Sequence, residues 1–329
     1  MERLLITLIL VCTMNNITNA QNPFYGQYHT PHEAVPFDRI ETEHYEPAIL
    51  EGIKLQNAEI EAIIQNPEKA DFTNTIEAFE ESGELLDKVV AVFGNMLSAE
   101  TNDDLQELAQ KIMPLLSEHS NNITLNKKLF ARVKEVYNQK ETLQLTQEQK
   151  QLLENAYNSF IRHGANLEGE AREEYRRLTT ELSKLTLTFS ENNLKETNAY
   201  QMLLTKKESL AGLPEIIIEA AAETAKNEEK EGWAFTLHAP SYIPFMTYSD
   251  NRDLRQKLYM AYNTKCTHDN EFNNIDIVKK IANTRMKIAQ LLGYKDYAEY
   301  TLKKRMAENS ESVYKLLNQL LEAYAPTAQ

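Results

Sequence analysis

The stretch "EGEAREEYRRLTTELSKLTLTFSENNLKETN", residues 168–198, decides the fold class. Ala171, Tyr175, Leu178, Leu182, Leu185 and Phe189 step along it by four and three in alternation, which averages to the spacing of a coiled-coil seam. The spacing predicts one long helix from about Glu168 to Asn198, with an apolar stripe that needs a partner. Two partners are open. One is a preceding helix of the same chain, most simply the one ending near His163; the other is a second copy, joined through a short zipper of roughly three heptads.

The same period recurs upstream. Residues 43–66 carry Ile49, Ile53, Ile60, Ile63 and Ile64 at helical spacing and close before Pro67. Residues 74–98 read as a second amphipathic helix through Ile76, Phe79, Leu86, Val90 and Phe93. A third covers 103–119 with a kink at Pro114, and a fourth covers 123–139. Thr146 and Gln149 form a capping box ahead of a helix that runs to His163, where Gly164 ends it.

Downstream the helical rhythm breaks. "AYQMLLT" (199–205) and "WAFTLH" (233–238) have the short length and β-prone residues of strands. Between them Pro214 starts a helix; the family resemblance described below implies that it crosses over the pair and packs through Ile217, Ile218 and Ala221. "APSYIPFMTYS" (239–249) reads as a proline- and aromatic-rich loop before helical spacing resumes at Asp250. With only 9 Gly and 10 Pro in 329 residues, the expectation is a mainly α fold with one small β-element.

The net charge of −14 and the lack of a basic stripe exclude a nucleic-acid partner. "LLITLILVC" behind Arg3, with Thr18 and Ala20 as small residues before Gln21, reads as a signal peptide over residues 1–20. Bulky Val11 opposes a lipid anchor on Cys12. The expected protein is exported to the periplasm and is free of the membrane once the signal is removed. Cys266 is then the one cysteine left, so no intramolecular disulfide can form.

No catalytic, cofactor-binding or metal-binding residue can be assigned from the residues themselves. His32-Glu33 opens like the zinc motif H-E-x-x-H, but Pro36 stands where the second histidine belongs and would break the required helix. The other histidines (His29, His44, His119, His163, His238 and His268) are scattered. "DNEFNNID" (269–276) resembles a calcium loop, yet Asn274 replaces the glycine at the sixth place and Lys280 the glutamate at the twelfth, which favours a solvated loop. Lys265 and His268 beside Cys266 could lower its pKa, although no orienting partner is in view.

Several blocks in order resemble the thimet oligopeptidase family of zinc metallopeptidases. They are "VPFDRIETEHYEPAI" (35–49), "DFTNTIEAFEESGELLDKV" (71–89), "FIRHGANLEGEAREEYRRLTTELSKL" (160–185), "LAGLP" (210–214), and two tail blocks, Asn251 to Asn274 and Thr284 to Val313. The stretch "NTKCTHDNEFNN" (263–274) leans towards the peptidyl-dipeptidase Dcp branch. The resemblance implies two helical lobes around a narrow channel, a single zinc ion, short peptide substrates and a monomer. It also implies that the zinc motif lies downstream of this sequence, which would be an N-terminal half and inactive alone. Residues 21–238 would form the helical N-terminal region and 239–329 the start of the catalytic region.

Overall fold

The computed structural model of the chain describes residues 22–328, so the segment 1–20 expected as a signal peptide, with Cys12, lies outside the described residues. Helices dominate, and the described β-structure is one two-stranded sheet. The chain divides into two units: residues up to Ser183 together with Met286 onward, and Lys184–Arg285.

The first unit holds α1 (Thr42–Gln65), α2 (Glu84–Ala99), α3 (Asp103–Thr124), α4 (Lys127–Asn138) and α5 (Gln147–Arg162). It also holds the first part of α6 (Gly169–Ala199). The capping box is present: Thr146 Oγ1 accepts from the Gln149 N–H at 3.2 Å, and Gln149 Oε1 accepts from the Thr146 N–H at 3.1 Å. Asn102 and Asn126 cap α3 and α4 in the same manner. Ile60, Ile63, Ile76, Leu129, Val133 and Phe160 meet in one buried core. Each comes from the apolar stripe of its segment, so helical periodicity leads directly to packing.

The expected helix over 74–98 is interrupted. Phe72–Glu77 forms a π-turn, Ala78–Glu80 a short helical turn, and α2 starts only after Gly83 at φ 86°. The Gly83 N–H donates to Glu59 Oε2 at 2.8 Å, and a Cβ there would meet the Gln56 side chain at 2.3 Å. The close approach of α1 therefore fixes the break. A similar constraint holds at Gly52, where an added Cβ would sit 2.9 Å from the Leu86 backbone.

The first part of the α6 seam packs inside the chain while Phe189 at its end is exposed, and the partner differs from the helix ending near His163. Tyr175 and Leu178 are buried with Leu125, at the end of α3, and Ile288, from the last part of α10 (Ile275–Leu291). Polar contacts reinforce the α3 side: Asn121 Nδ2 donates to Thr179 Oγ1 at 2.9 Å, and Arg172 donates to the Leu125 carbonyl at 2.5 Å. Periodicity showed which face is buried. It carried no information on which helix would cover it.

The second unit is built on β1 (Gln201–Leu204) and β2 (Trp233–Thr236), paired antiparallel with Gln201 opposite Thr236 and Leu204 opposite Trp233. The connection contains α7 (Glu215–Asn227), whose Ala221, Ile217 and Ile218 join Met202, Leu204 and Phe235 in a single core. A two-stranded sheet is marginal in water without such cover. The segment expected as a loop is instead α8 (Ala239–Tyr248), followed by α9 (Arg252–Asn263). Pro240 falls in the first turn of α8, where its missing N–H costs nothing. Fully buried Phe245 anchors the helix edge-on against Phe235 at 4.6 Å, so packing outweighs the interior Pro244.

The β1–β2 pairing generates a stability prediction. Gly232 sits at φ 112°, and an added Cβ would lie 2.3 Å from the Leu204 carbonyl oxygen. Gly232→Ala is expected to cost about 1–3 kcal/mol, from overpacking and backbone strain together. Urea unfolding should show the midpoint falling with the slope unchanged; an unaltered midpoint would contradict the close approach.

Candidate functional site

The densest polar cluster in the second unit ties the loop after α9 to the C-terminal part of α6. Glu196, on α6, accepts a hydrogen bond from the Cys266 N–H, and its other oxygen lies 3.5 Å from Asn270 Nδ2. Lys265 Nζ donates to Thr197 Oγ1 at 3.0 Å and sits 4.6 Å from the Tyr262 ring centre. At the far end of the loop the Asn274 N–H donates to the Cys266 carbonyl at 2.8 Å. The Asn274 side chain is buried; it donates to the Phe189 carbonyl at 3.0 Å and accepts from Asn192 at 2.9 Å.

This geometry decides two sequence expectations. The calcium-like run is not simply solvated, since Asn274 turns inward and closes the loop against α6. Its carbonyl oxygen is engaged by Asn192, so it does not serve as an ion ligand. Cys266 also departs from expectation. Burial, a hydrogen bond to Glu196 and the Glu196 charge push its thiol up to about 11, while Lys265 opposes them weakly. A thiol so protonated is a poor nucleophile. Its backbone is held at φ 58°, in the left-handed region, which the closed loop enforces.

The remaining candidates stay apart. His32 is exposed in a single 3-10 turn at φ 59°. His44 accepts from the Glu41 N–H at 2.9 Å and helps to cap α1. His119 is buried against Gln56 Oε1 at 2.7 Å, and burial holds its pKa below the ordinary value. His163 approaches the Ser159 carbonyl, and His238 bonds Asn198 and Thr236. Among the described residues, no group of three His, Cys, Asp or Glu side chains could hold a metal ion.

One groove in the first unit, of about 1120 Å³, runs between the start of α1 and α3. Glu41, Glu43, Glu46, Asp104 and Glu107 line it over a floor that includes Leu50 and Leu108. Lys111 pairs with Glu46 at 2.5 Å. No histidine stands among these carboxylates to act with them.

Residues 245–329, which include the Glu196-stapled loop, match Peptidase family M3. The chain is 34% identical to the dipeptidyl carboxypeptidase of Escherichia coli over 303 residues, 92% of this chain and 44% of that protein. It is 30% identical to oligopeptidase A of Salmonella typhimurium over 94% of this chain and 45% of that protein. The chain is related to the M3 peptidases. Oligopeptidase A of Haemophilus influenzae gives 32% identity over 89% of this chain. The chain spans less than half the length of these curated relatives.

Sequence reading missed Glu196 as the staple. It lies beyond the regular seam of α6, and its partner is a backbone N–H, which has no sequence signature. The raised Cys266 pKa has a measurable consequence. Because the folded state keeps this proton while the unfolded thiol, ordinarily at 9.0, loses it, its contribution to stability is present below pH 9 and falls as pH rises towards about 11. Urea unfolding across that window should show stability declining, with Cys266→Ala removing part of the slope; an unchanged slope would refute the buried protonated thiol.

Proposed function

We propose that this chain forms part of an exported zinc metallopeptidase that releases dipeptides from the C-termini of short peptides. The observation that carries the reading is the 34% identity to dipeptidyl carboxypeptidase over 92% of the chain. Oligopeptidase A of the same organism reaches 30% over 91%. The relatives named oligopeptidase A support the second reading, an oligopeptidase of the same family that cuts internally.

In this proposal residues 1–20 direct export to the periplasm, 21–238 form a helical N-terminal region, and 239–329 open the catalytic region. The zinc ligands belong to a part of the enzyme outside this sequence. The chain's own contribution is to shape one wall of a channel that admits short, unstructured peptides. The enzyme acts as a monomer, with no nucleic-acid partner, in keeping with its acidic charge of −14.

Two measurements test the reading. The chain alone should carry no stoichiometric zinc and cleave no quenched-fluorescence peptide; zinc near one per chain together with cleavage would overturn that expectation. An enzyme containing this region and the remaining M3 sequence should remove dipeptides stepwise from an unblocked peptide, as followed by mass spectrometry. Single internal cuts without stepwise loss would select the oligopeptidase reading instead.

A further inference from the structure

The groove between α1 and α3, about 1120 Å³ in volume, is built by one pattern used on both helices. On α1, Glu43, then Glu46 with Pro47, then Leu50 fall a turn apart and share one face. On α3, Asp104, then Glu107 with Leu108, then Lys111 repeat that spacing. The carboxylates therefore crowd the end where both helices begin, and the aliphatic side chains lie among and behind them.

Helix electrostatics explain only part of this arrangement. A carboxylate in the first turn is favoured by the macrodipole, and Glu43 and Asp104 sit there. That benefit fades within a turn, so it gives no reason for Glu46 and Glu107. Among the described residues that line the groove, Lys111 alone is cationic, and it is engaged with Glu46 at 2.5 Å. The remaining carboxylates face one another without a cation in the groove, and Leu50 stays 46% exposed beside them. Gathering like charge around a wet leucine costs stability in the free chain. The same surface is complementary to a ligand that carries positive charges next to an apolar side chain.

We propose that this groove docks a basic peptide segment of another polypeptide, one with Lys or Arg side chains on both sides of an apolar residue. The apolar side chain would lie on Pro47, Leu50 and Leu108, and the cations would meet Glu43, Asp104 and Glu107. A bare metal ion is a poorer occupant, since no three carboxylates among the described residues stand close enough to hold one. The inference rests on α1 and α3 alone and needs no cleavage of the bound segment, so it stands apart from the peptidase reading.

The probe is a fluorescein-labelled peptide, Lys-Lys-Leu-Leu-Lys-Lys, followed by fluorescence anisotropy as the chain is added. It should bind saturably, at one site per chain, and weaken as salt is raised. Peptides with Glu in place of Lys, or Ser in place of Leu, should bind far more weakly. Glu43→Gln with Glu107→Gln should lower affinity about tenfold, the loss expected for two ion pairs at a rim. Leu50→Ser should lower it as well. Glu80→Gln with Glu135→Gln removes the same charge from exposed positions that do not line the groove, and should leave affinity unchanged. The reversed chain, with Glu43→Lys, Asp104→Lys and Glu107→Lys, should instead prefer the Glu peptide, a gain that a misfolded variant would not produce. Failure to saturate, equal affinity for the Ser peptide, an equal loss in the Glu80 and Glu135 control, or no exchange of preference in the reversed chain would each overturn the proposal.

Discussion

Burial of Tyr175 and Leu178 against Leu125 and Ile288 is the contact that closes the first unit. That unit is discontinuous in sequence, since the segment 184–285 intervenes before the chain returns at Met286. Bringing the two segments together costs loop-closure entropy, but that cost grows only slowly with the length of the excursion. Two nearly fully buried side chains from α6 offset it with roughly 1.5–3 kcal/mol each for the aliphatic kind. Tyr175 belongs in this setting, and burial drives its phenol well above the usual range. The hydrogen bonds from Asn121 to Thr179 and from Arg172 to the Leu125 carbonyl add direction to a hydrophobic contact that has none of its own.

The second unit uses a different solution at its own loop. Glu196 places a carboxylate where a backbone N–H from Cys266 needs an acceptor, and Asn274 satisfies a carbonyl from α6 with its side chain. A buried, unpaired backbone group would cost about 1–3 kcal/mol, so each contact prevents a loss more than it adds a gain. The side chain of buried Asn274 is held by Asn192 and the Phe189 carbonyl, whereas His268, Asp269 and Glu271 are exposed and His268 lies 3.9 Å from Glu196.

Much of the fold was legible because helix faces and short strands leave periodic traces. The first part of the α6 seam and the capping box at Thr146 follow from such traces, while the pairing of residues 201–204 with 233–236 was expected from the family resemblance. What was not legible depends on contacts between distant residues. The break at Gly83 is set by Gln56 and Glu59, and the helical state of 239–248 is set by Phe245 against Phe235. The direction of the Cys266 shift depends on Glu196, seventy positions away in the chain. Neighbouring Lys265 and His268 pointed the opposite way because proximity in sequence is a poor guide to the field at a buried thiol.

The absence of a readable reaction centre and the relation to the M3 peptidases do not conflict, because a fold and the site grafted on it are separable. Most apolar positions in this chain are committed to its own cores, which leaves few side chains free to report a reaction. In the helix Ser310–Ala328, leucines at helical spacing are exposed, as are Ile216, Ile243 and Met306 elsewhere in the chain. In a core helix such as α4, the same kind of stripe buries Leu129, Phe130, Val133 and Val136 against its neighbours. The sequences of the two helices obey one rule, and only their surroundings differ.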